Sequence, residues 1–257
     1  MQNIITVALN TYRQSIRSKI LYTLFIFAII LVLISALFGS VTIGEQSKVI
    51  KDFGLFSISL FTVAYIVIAG SALLHKELSK KTIDSILSKA VYRWEFLIGK
   101  YFGMLLIVCI MILLMGLGLF GFSLLFDGAH NLLLFQAYYY QFLELLIICA
   151  AAIFFSSIVV TPLLSGLFTL GIFIAGRSIT YLLYFVQTGD LKGFAANFLK
   201  TLNFILPNLN KLNINNEIVY GYSMNMEHMI WSSLYAISYS LVLLSLAMLF
   251  FSRREFN

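Results

Sequence analysis

The chain alternates long apolar runs with shorter polar segments. Six runs are long enough to cross a bilayer as helices, since the hydrocarbon core requires about 20 consecutive apolar residues. These six spans are Ile20–Phe38, Leu55–Leu74, Phe102–Phe126, Leu132–Val160, Leu163–Val186 and Met229–Phe251. The pattern predicts an all-α integral membrane protein with six transmembrane helices, in which residues 1–257 form a single transmembrane domain.

Composition supports this prediction and excludes a separate soluble domain. Hydrophobic residues make up 61% of the chain and charged residues only 11%, whereas an ordinary soluble domain carries about 25% charged residues. The net charge of +6 comes from basic clusters beside the apolar runs. Basic residues in such places set membrane orientation, so we expect the lipid bilayer, and no nucleic acid, as a partner.

The distribution of Lys and Arg predicts the orientation. Most of them lie before the first span, in the loop after the second span and at the C-terminus, and these three segments share one side of the membrane. Loops rich in Lys and Arg face the cytoplasm. We therefore expect a multi-pass protein of the cytoplasmic (inner) membrane with both termini in the cytoplasm.

Residues 1–19 precede the first span and show helical periodicity. The apolar residues of this segment that recur at helical spacing are Ile4, Ile5, Ala8, Leu9, Tyr12 and Ile16. The pattern predicts an amphipathic helix in the cytoplasmic interface. A plain cytoplasmic extension of the first span is the alternative.

The cytoplasmic stretch His75–Tyr101 is the most polar part of the chain. Ile83, Ile86 and Leu87 form a narrow apolar stripe among charged neighbours, and Ser79 or Thr82 is suited to cap a helix start. A short helix of this kind fits a groove on another protein. A solvated basic loop that only sets orientation explains the composition equally well.

The external segment 187–228 is too long for a passive connection. The apolar residues that line one face of a possible helix are Leu191, Phe194, Phe198, Leu202 and Ile205, and Pro207 breaks it. Lys192, Asn197 and Lys200 interrupt the segment, so it cannot span fully. We expect partially inserted external helices between the fifth and sixth spans.

Motifs for catalysis, nucleotide binding or metal binding are missing from the sequence. Gly99-Lys100 is followed by Tyr101 and lacks the upstream glycine of a phosphate-binding loop. Cys109 and Cys149 lie inside apolar runs without the spacing of a zinc site. We therefore expect no catalytic residues, metal or cofactor on this chain.

Two charged residues lie within predicted spans. Glu144 in the fourth span and Arg177 in the fifth are at similar distances from the outer face. Because intramembrane charge is costly, such residues usually pair or serve a function. We predict a Glu144–Arg177 pair that fixes helix packing, with a substrate path or proton route as the alternative.

The stretch from His75 to Lys100 resembles the cytoplasmic signature of ABC type-2 transporter permeases. The positions that match are Glu77, Thr82, Leu87, Val91, Arg93, Gly99 and Lys100, while Ala90 stands where proline is usual. Segment 10–19 resembles the connecting helix of these permeases. Leu206–Leu209 and the closing residues 251–256 are similar to the NosY-like subgroup, although the chain has no Met, Cys and His cluster able to bind copper.

The resemblance implies a permease subunit that is not itself an enzyme and whose coupling helix docks on a separate ATPase. By this resemblance Glu77, Thr82, Ile83, Ile86, Leu87 and Arg93 would couple the permease to ATP hydrolysis. ATP and magnesium would bind to two ATPase chains, and the permease would act as a homodimer that exports its substrate. Two alternatives remain from the sequence alone: a mechanical or scaffold subunit acting on another membrane protein, and a secondary transporter.

Overall fold

The computed structural model describes residues 2–41, 45–73, 92–127, 132–188 and 193–253, with the main chain only for 36–41 and 125–127. This part of the chain is 91% helical and contains no strand. The all-α prediction is therefore confirmed.

The described residues form six long helices, one shorter N-terminal helix, and two short helices and a 3-10 turn, Leu209–Leu212, between the last two long helices. Their bounds are α1 Gln2–Ile16, α2 Lys19–Val41, α3 Gln46–Tyr65, α4 Arg93–Asp127, α5 Leu134–Ile158, α6 Pro162–Gln187, α7 Phe194–Ile205, α8 Asn215–Val219 and α9 Met226–Arg253. A π-helical turn, Ile66–Gly70, extends α3 to Leu73. Five helices (α3, α4, α5, α6 and α9) are long and apolar enough to cross a membrane alone. The bent pair α1–α2 brings the number to six.

Two helices extend well beyond the predicted spans. α3 begins at Gln46 and α4 at Arg93, each more than two turns before the corresponding apolar run. A helix with the length of α4 measures roughly 50 Å, whereas the hydrocarbon core measures about 30 Å. Hydropathy marks only the lipid-facing part of a helix, so it does not report these polar extensions.

The helix α5 lies at the centre of the bundle. Every side chain from Ile147 to Ala152 is fully buried. The helices α3, α4, α6 and α9 pack around it. Small residues along this stretch allow the close helix packing that drives association in lipid, where the hydrophobic effect between helices is weak.

The N-terminal helix α1 packs along the first turns of α4 at two glycines. A Cβ added at Gly99 would lie 2.7 Å from the Val7 Cβ, and one added at Gly103 would lie 2.6 Å from the Thr11 Cβ. The buried side of α1 therefore carries small and polar residues, including Thr11 and Ser15. The predicted apolar positions Ile5 and Leu9 remain exposed, by 59% and 44%.

Candidate functional site

Two charged side chains meet inside the helix bundle. Arg177 of α6 donates hydrogen bonds from Nε to Oε1 and from Nη2 to Oε2 of Glu144 in α5, each at 2.7 Å. Glu144 is only 1% exposed and Arg177 is partly buried. Two parallel charge-assisted bonds of this kind are among the strongest polar contacts in proteins. The two residues singled out in the sequence are thus in direct contact.

A third helix completes this ion pair. Nη2 of Arg177 also donates to the Ser59 hydroxyl of α3 at 2.9 Å, and the guanidinium carbon lies 4.8 Å from the centre of the Phe173 ring. Each carboxylate oxygen of Glu144 already accepts a hydrogen bond from Arg177. The arrangement therefore joins α3, α5 and α6 at one point, as a helix-packing role requires. We call Ser59, Glu144 and Arg177 the ion-pair junction.

A second buried polar group lies one turn away from Glu144 on α5. Gln141 is 2% exposed, and its Nε2 donates to the Leu55 carbonyl of α3 at 2.8 Å. Its Oε1 has no hydrogen-bond partner among the residues that the structure describes. Gln141 therefore bonds α5 directly to α3, whereas Glu144 is linked to α3 only through Arg177 and Ser59. The sequence signal for Gln141 was a polar residue inside an apolar run, and it was missed.

The external segment turns back toward the ion-pair junction after α7. The turn that follows α7 brings the Pro207 carbonyl and Leu209 against Gly176, where an added Cβ would lie 2.7 Å from that carbonyl. Gly176 precedes Arg177 directly and lies about three turns, or roughly 16 Å, before the end of α6. The turn thus lies beside the middle of α6 rather than at its tip.

Tyrosines of α9 hold the same turn from the other side. The backbone N–H of Asn208 donates to the Tyr235 hydroxyl at 2.8 Å, and the Tyr239 hydroxyl donates to the Ile205 carbonyl at 2.6 Å. Thr180 of α6 donates to the Asn208 side chain at 3.2 Å. These bonds satisfy polar groups of a turn that has left the helical hydrogen-bond pattern, as irregular backbone at such depth requires.

Of the predicted coupling residues, only Arg93 lies in the described part of the chain. Glu77, Thr82, Ile83, Ile86 and Leu87 fall outside the described residues. Arg93 begins α4, and its Nη1 donates to the Ser252 carbonyl at 2.9 Å and lies 3.4 Å from the Phe251 carbonyl. A cation at these carbonyls also suits the negative end of the α9 dipole.

The start of α4 is fastened to α1 as well. Oε2 of Glu95 accepts hydrogen bonds from the Asn3 side chain at 3.0 Å and from the backbone N–H of Tyr92 at 3.2 Å. The Phe96 ring stacks on Phe251 of α9. The point where the chain re-enters the described structure, after residue 91, is therefore bound to both α1 and α9.

On the other side of the undescribed segment, α3 ends with its π-helical turn. The Ser71 carbonyl accepts a hydrogen bond from Ser156 of α5 at 3.1 Å, and Gly166 of α6 approaches the Val67 carbonyl closely. π-helical turns are rare and frequently lie at functional sites. Neither this turn nor the Gly99–Gly103 contact was predicted, although the spacing of the two glycines was visible in the sequence.

Comparison with known protein families decides the class of the molecule. The model of a family described as "ABC-2 family transporter protein" matches residues 5–256, nearly the whole chain. The chain belongs to the ABC-2 transporter family. This family provides the membrane component of a transporter rather than a catalytic subunit, and membership implies an ABC ATPase as partner. No curated protein matches the chain.

Proposed function

We propose that this ABC-2 chain is the permease subunit of an exporter in the cytoplasmic membrane. It works as a homodimer with two copies of a separate ATPase, and both of its termini face the cytoplasm. The undescribed segment 74–91 contains the coupling helix, whose apolar residues Ile83, Ile86 and Leu87 enter a groove of the ATPase. The tracts after residue 206 and at the C-terminus support assignment to the NosY-like subgroup.

One observation carries the coupling mechanism. The segment 74–91 connects Leu73, three residues after the π-helical turn of α3, to the start of α4. Arg93 and Glu95 fasten that start to α9 and α1. A displacement of the coupling helix by the ATPase is therefore passed to α1, α3, α4 and α9 together. Rigid-body movement of packed helices is a common form of such transitions.

The exposed surface of α7 supports the proposed homodimer. Ala196 is the only buried residue of α7, and Phe194 and Phe204 are 87% and 92% exposed. Large exposed apolar surfaces mark contacts with lipid or with another protein. A second copy seated on these faces creates a path between the two chains, and the turn at Leu206–Asn208 closes its outer end.

The ion-pair junction acts within this mechanism as a rigid link between α3, α5 and α6. Glu144 and Arg177 neutralise each other, so they add no net charge to the path for the substrate. The surrounding surface is apolar and favours a lipid or amphipathic substrate over a bare ion. The junction keeps α3 and α6 together while the coupling segment moves.

Co-purification from native membranes tests the coupling assignment. Wild type and Ile83→Asp/Leu87→Asp are extracted in mild detergent, and the amount of bound ATPase is measured by quantitative mass spectrometry. The expected result is an ATPase at equal stoichiometry with wild type and its loss from the variant, because two buried charges in the groove lack partners.

The matched control is Ser79→Asp/Ser88→Asp, which adds the same two charges at polar positions and leaves a good cap at residue 79. It should retain the ATPase. Equal retention by the Ile83→Asp/Leu87→Asp variant, or absence of any ATPase with wild type, rejects the coupling assignment. Cross-linking through cysteines introduced at Phe194 and Phe204 tests the homodimer separately.

A further inference from the structure

Three basic residues lie close together in the sequence where the chain enters α2. Arg13 and Arg17 belong to α1 and the short link after it, and Lys19 is the first residue of α2. All three are exposed, and none forms an ion pair with the described part of the chain. α1 itself contains no acidic residue. This basic cluster therefore has a net positive charge that no ion pair with a described residue neutralises.

The geometry puts this basic cluster at the level of lipid headgroups. The axes of α1 and α2 differ by 61°, so the chain changes direction between Ile16 and Lys19. Tyr22, one turn into α2, is 53% exposed. Exposed Tyr next to Lys and Arg at the start of an apolar helix is typical of the boundary between headgroups and hydrocarbon.

An apolar groove opens further along the same helix. It has a volume of about 190 Å³ and lies between α2, α3 and α4. Lining residues include Phe25, Ile29 and Leu33 of α2, Ile58 of α3, and Leu114 and Gly118 of α4. A dry cavity of about 150 Å³ with similar lining holds a benzene molecule. The groove therefore has room for several methylene groups of an extended chain.

The basic cluster at the start of α2 and the groove further along it are connected by one face of this helix. Tyr22, Phe25 and Ile29 are three and four residues apart, so they share one face of α2. The near end of the groove is Phe25, to which the helix rises about 9 Å from Lys19, and half of the hydrocarbon core measures about 15 Å. An acyl chain attached to a headgroup at Lys19 thus enters the groove before it reaches the membrane midplane.

We propose that the α1–α2 junction binds one anionic phospholipid. Arg13, Arg17 and Lys19 bind its phosphate-containing headgroup, and one acyl chain occupies the groove beside Gly118. Charge complementarity selects an anionic lipid over a zwitterionic one, since each basic residue near the surface favours anionic lipid. The guanidinium groups of Arg13 and Arg17 also match phosphate oxygens in geometry.

Two sets of variants of the purified full chain test the headgroup and the acyl chain separately. The protein is incubated with equimolar phosphatidylglycerol and phosphatidylcholine, and native mass spectrometry counts each bound lipid. Wild type should retain one phosphatidylglycerol in preference to phosphatidylcholine. Arg13→Gln/Arg17→Gln/Lys19→Gln should weaken phosphatidylglycerol binding by on the order of a hundredfold and leave phosphatidylcholine binding unchanged.

Two glycines of α4 provide a matched pair for the groove. A Cβ added at Gly118 or at Gly121 meets nothing within 4 Å, so both positions are open where a side chain would begin. Only Gly118 lines the groove. Gly118→Leu should therefore fill the groove and weaken phosphatidylglycerol binding at least tenfold, whereas Gly121→Leu should bind like wild type.

Three results would overturn the proposal. The first is equal retention of the two lipids by wild type. The second is equal binding by Gly118→Leu and Gly121→Leu. The third is a glutamine variant that retains phosphatidylglycerol but loses a co-purifying protein, because the basic cluster is then a protein-docking surface. The assay needs no ATPase, so its outcome is independent of the proposed coupling.

Discussion

The ion-pair junction and the α1–α4 contact hold helices together by opposite means. At the first, Arg177 reaches Glu144 and Ser59 through hydrogen bonds of 2.7 to 2.9 Å. At the second, Gly99 and Gly103 remove side chains so that the backbone of α4 approaches α1. Helices in lipid associate through close packing and hydrogen bonds. This molecule uses each method at a different place, with charge near the bundle centre and shape at its edge.

The ion-pair junction and the α1–α4 contact should be sensitive to different kinds of mutation. The ion-pair junction fails when one partner is removed, because the other remains buried and charged. The glycine contact fails when any atom is added, because the neighbouring backbone cannot move far. The following four predictions test this contrast, starting from the largest expected effect.

Removing Arg177 should cause the largest loss of stability. Arg177→Met leaves Glu144 buried without a partner, and the free energy of unfolding should fall by about 3–5 kcal/mol. The double variant Glu144→Gln/Arg177→Met should recover most of this loss, since no buried charge remains. Unfolding in mixed detergent measures both. Arg253→Met, at an exposed position at the end of α9, is the control. A double variant as unstable as Arg177→Met would contradict the role of charge.

Adding one methyl group at Gly103 should destabilise the α1–α4 contact by about 1–3 kcal/mol. Its Cβ would lie 2.6 Å from the Thr11 Cβ and 2.8 Å from the Ala8 carbonyl. The same change at Gly121 meets open space and should stabilise α4 by up to about 1 kcal/mol, because alanine favours helix over glycine. In the same unfolding assay, the change in the free energy of unfolding should have opposite signs for the two alanine variants. Equal changes at both positions would refute the packing argument.

The turn after α7 is held both by close packing at Gly176 and by a hydrogen bond to Tyr235. Separate variants of the two residues compare how much each contributes to stability. Gly176→Ala would bring a Cβ within 2.7 Å of the Pro207 carbonyl, and about 1–3 kcal/mol of destabilisation is expected. Tyr235→Phe removes the acceptor for the Asn208 N–H and should cost about 1 kcal/mol. Hydrogen exchange across residues 194–209 should rise more in the glycine variant. The exposed Tyr181 provides a control substitution, Tyr181→Phe.

Ser59 should contribute the least to stability among the residues tested. Ser59→Ala removes one hydrogen bond to Arg177 while the two bonds to Glu144 remain. The expected loss is about 0.6 kcal/mol, the average for interhelical hydrogen bonds in a membrane protein. Ser35→Ala is a suitable control, because the Ser35 hydroxyl bonds within its own helix. A loss above about 2 kcal/mol would mean that Ser59, rather than Glu144, positions the guanidinium.

The predicted structure agrees with the observed one wherever apolar run length decides the outcome. The last three spans begin and end within a few residues of α5, α6 and α9. The helices α3 and α4 begin before the second and third predicted spans, because their polar extensions carry no hydropathy signal. Glu144 and Arg177 were recognisable as partners because charges inside apolar runs are rare. Gln141 and Ser59 were missed, since uncharged polar residues are common in such helices.

The sequence by itself determined that this chain is a membrane protein and how many long apolar helices it has. It also identified Glu144 and Arg177 as the two charged residues that pair. These properties follow from transfer free energies, which depend on residue type and run length. Only the tertiary structure decided that α1 packs through its small residues and that the turn at Pro207 reaches Gly176. Both depend on how closely two backbones approach, and that distance is set jointly by helices far apart in the sequence.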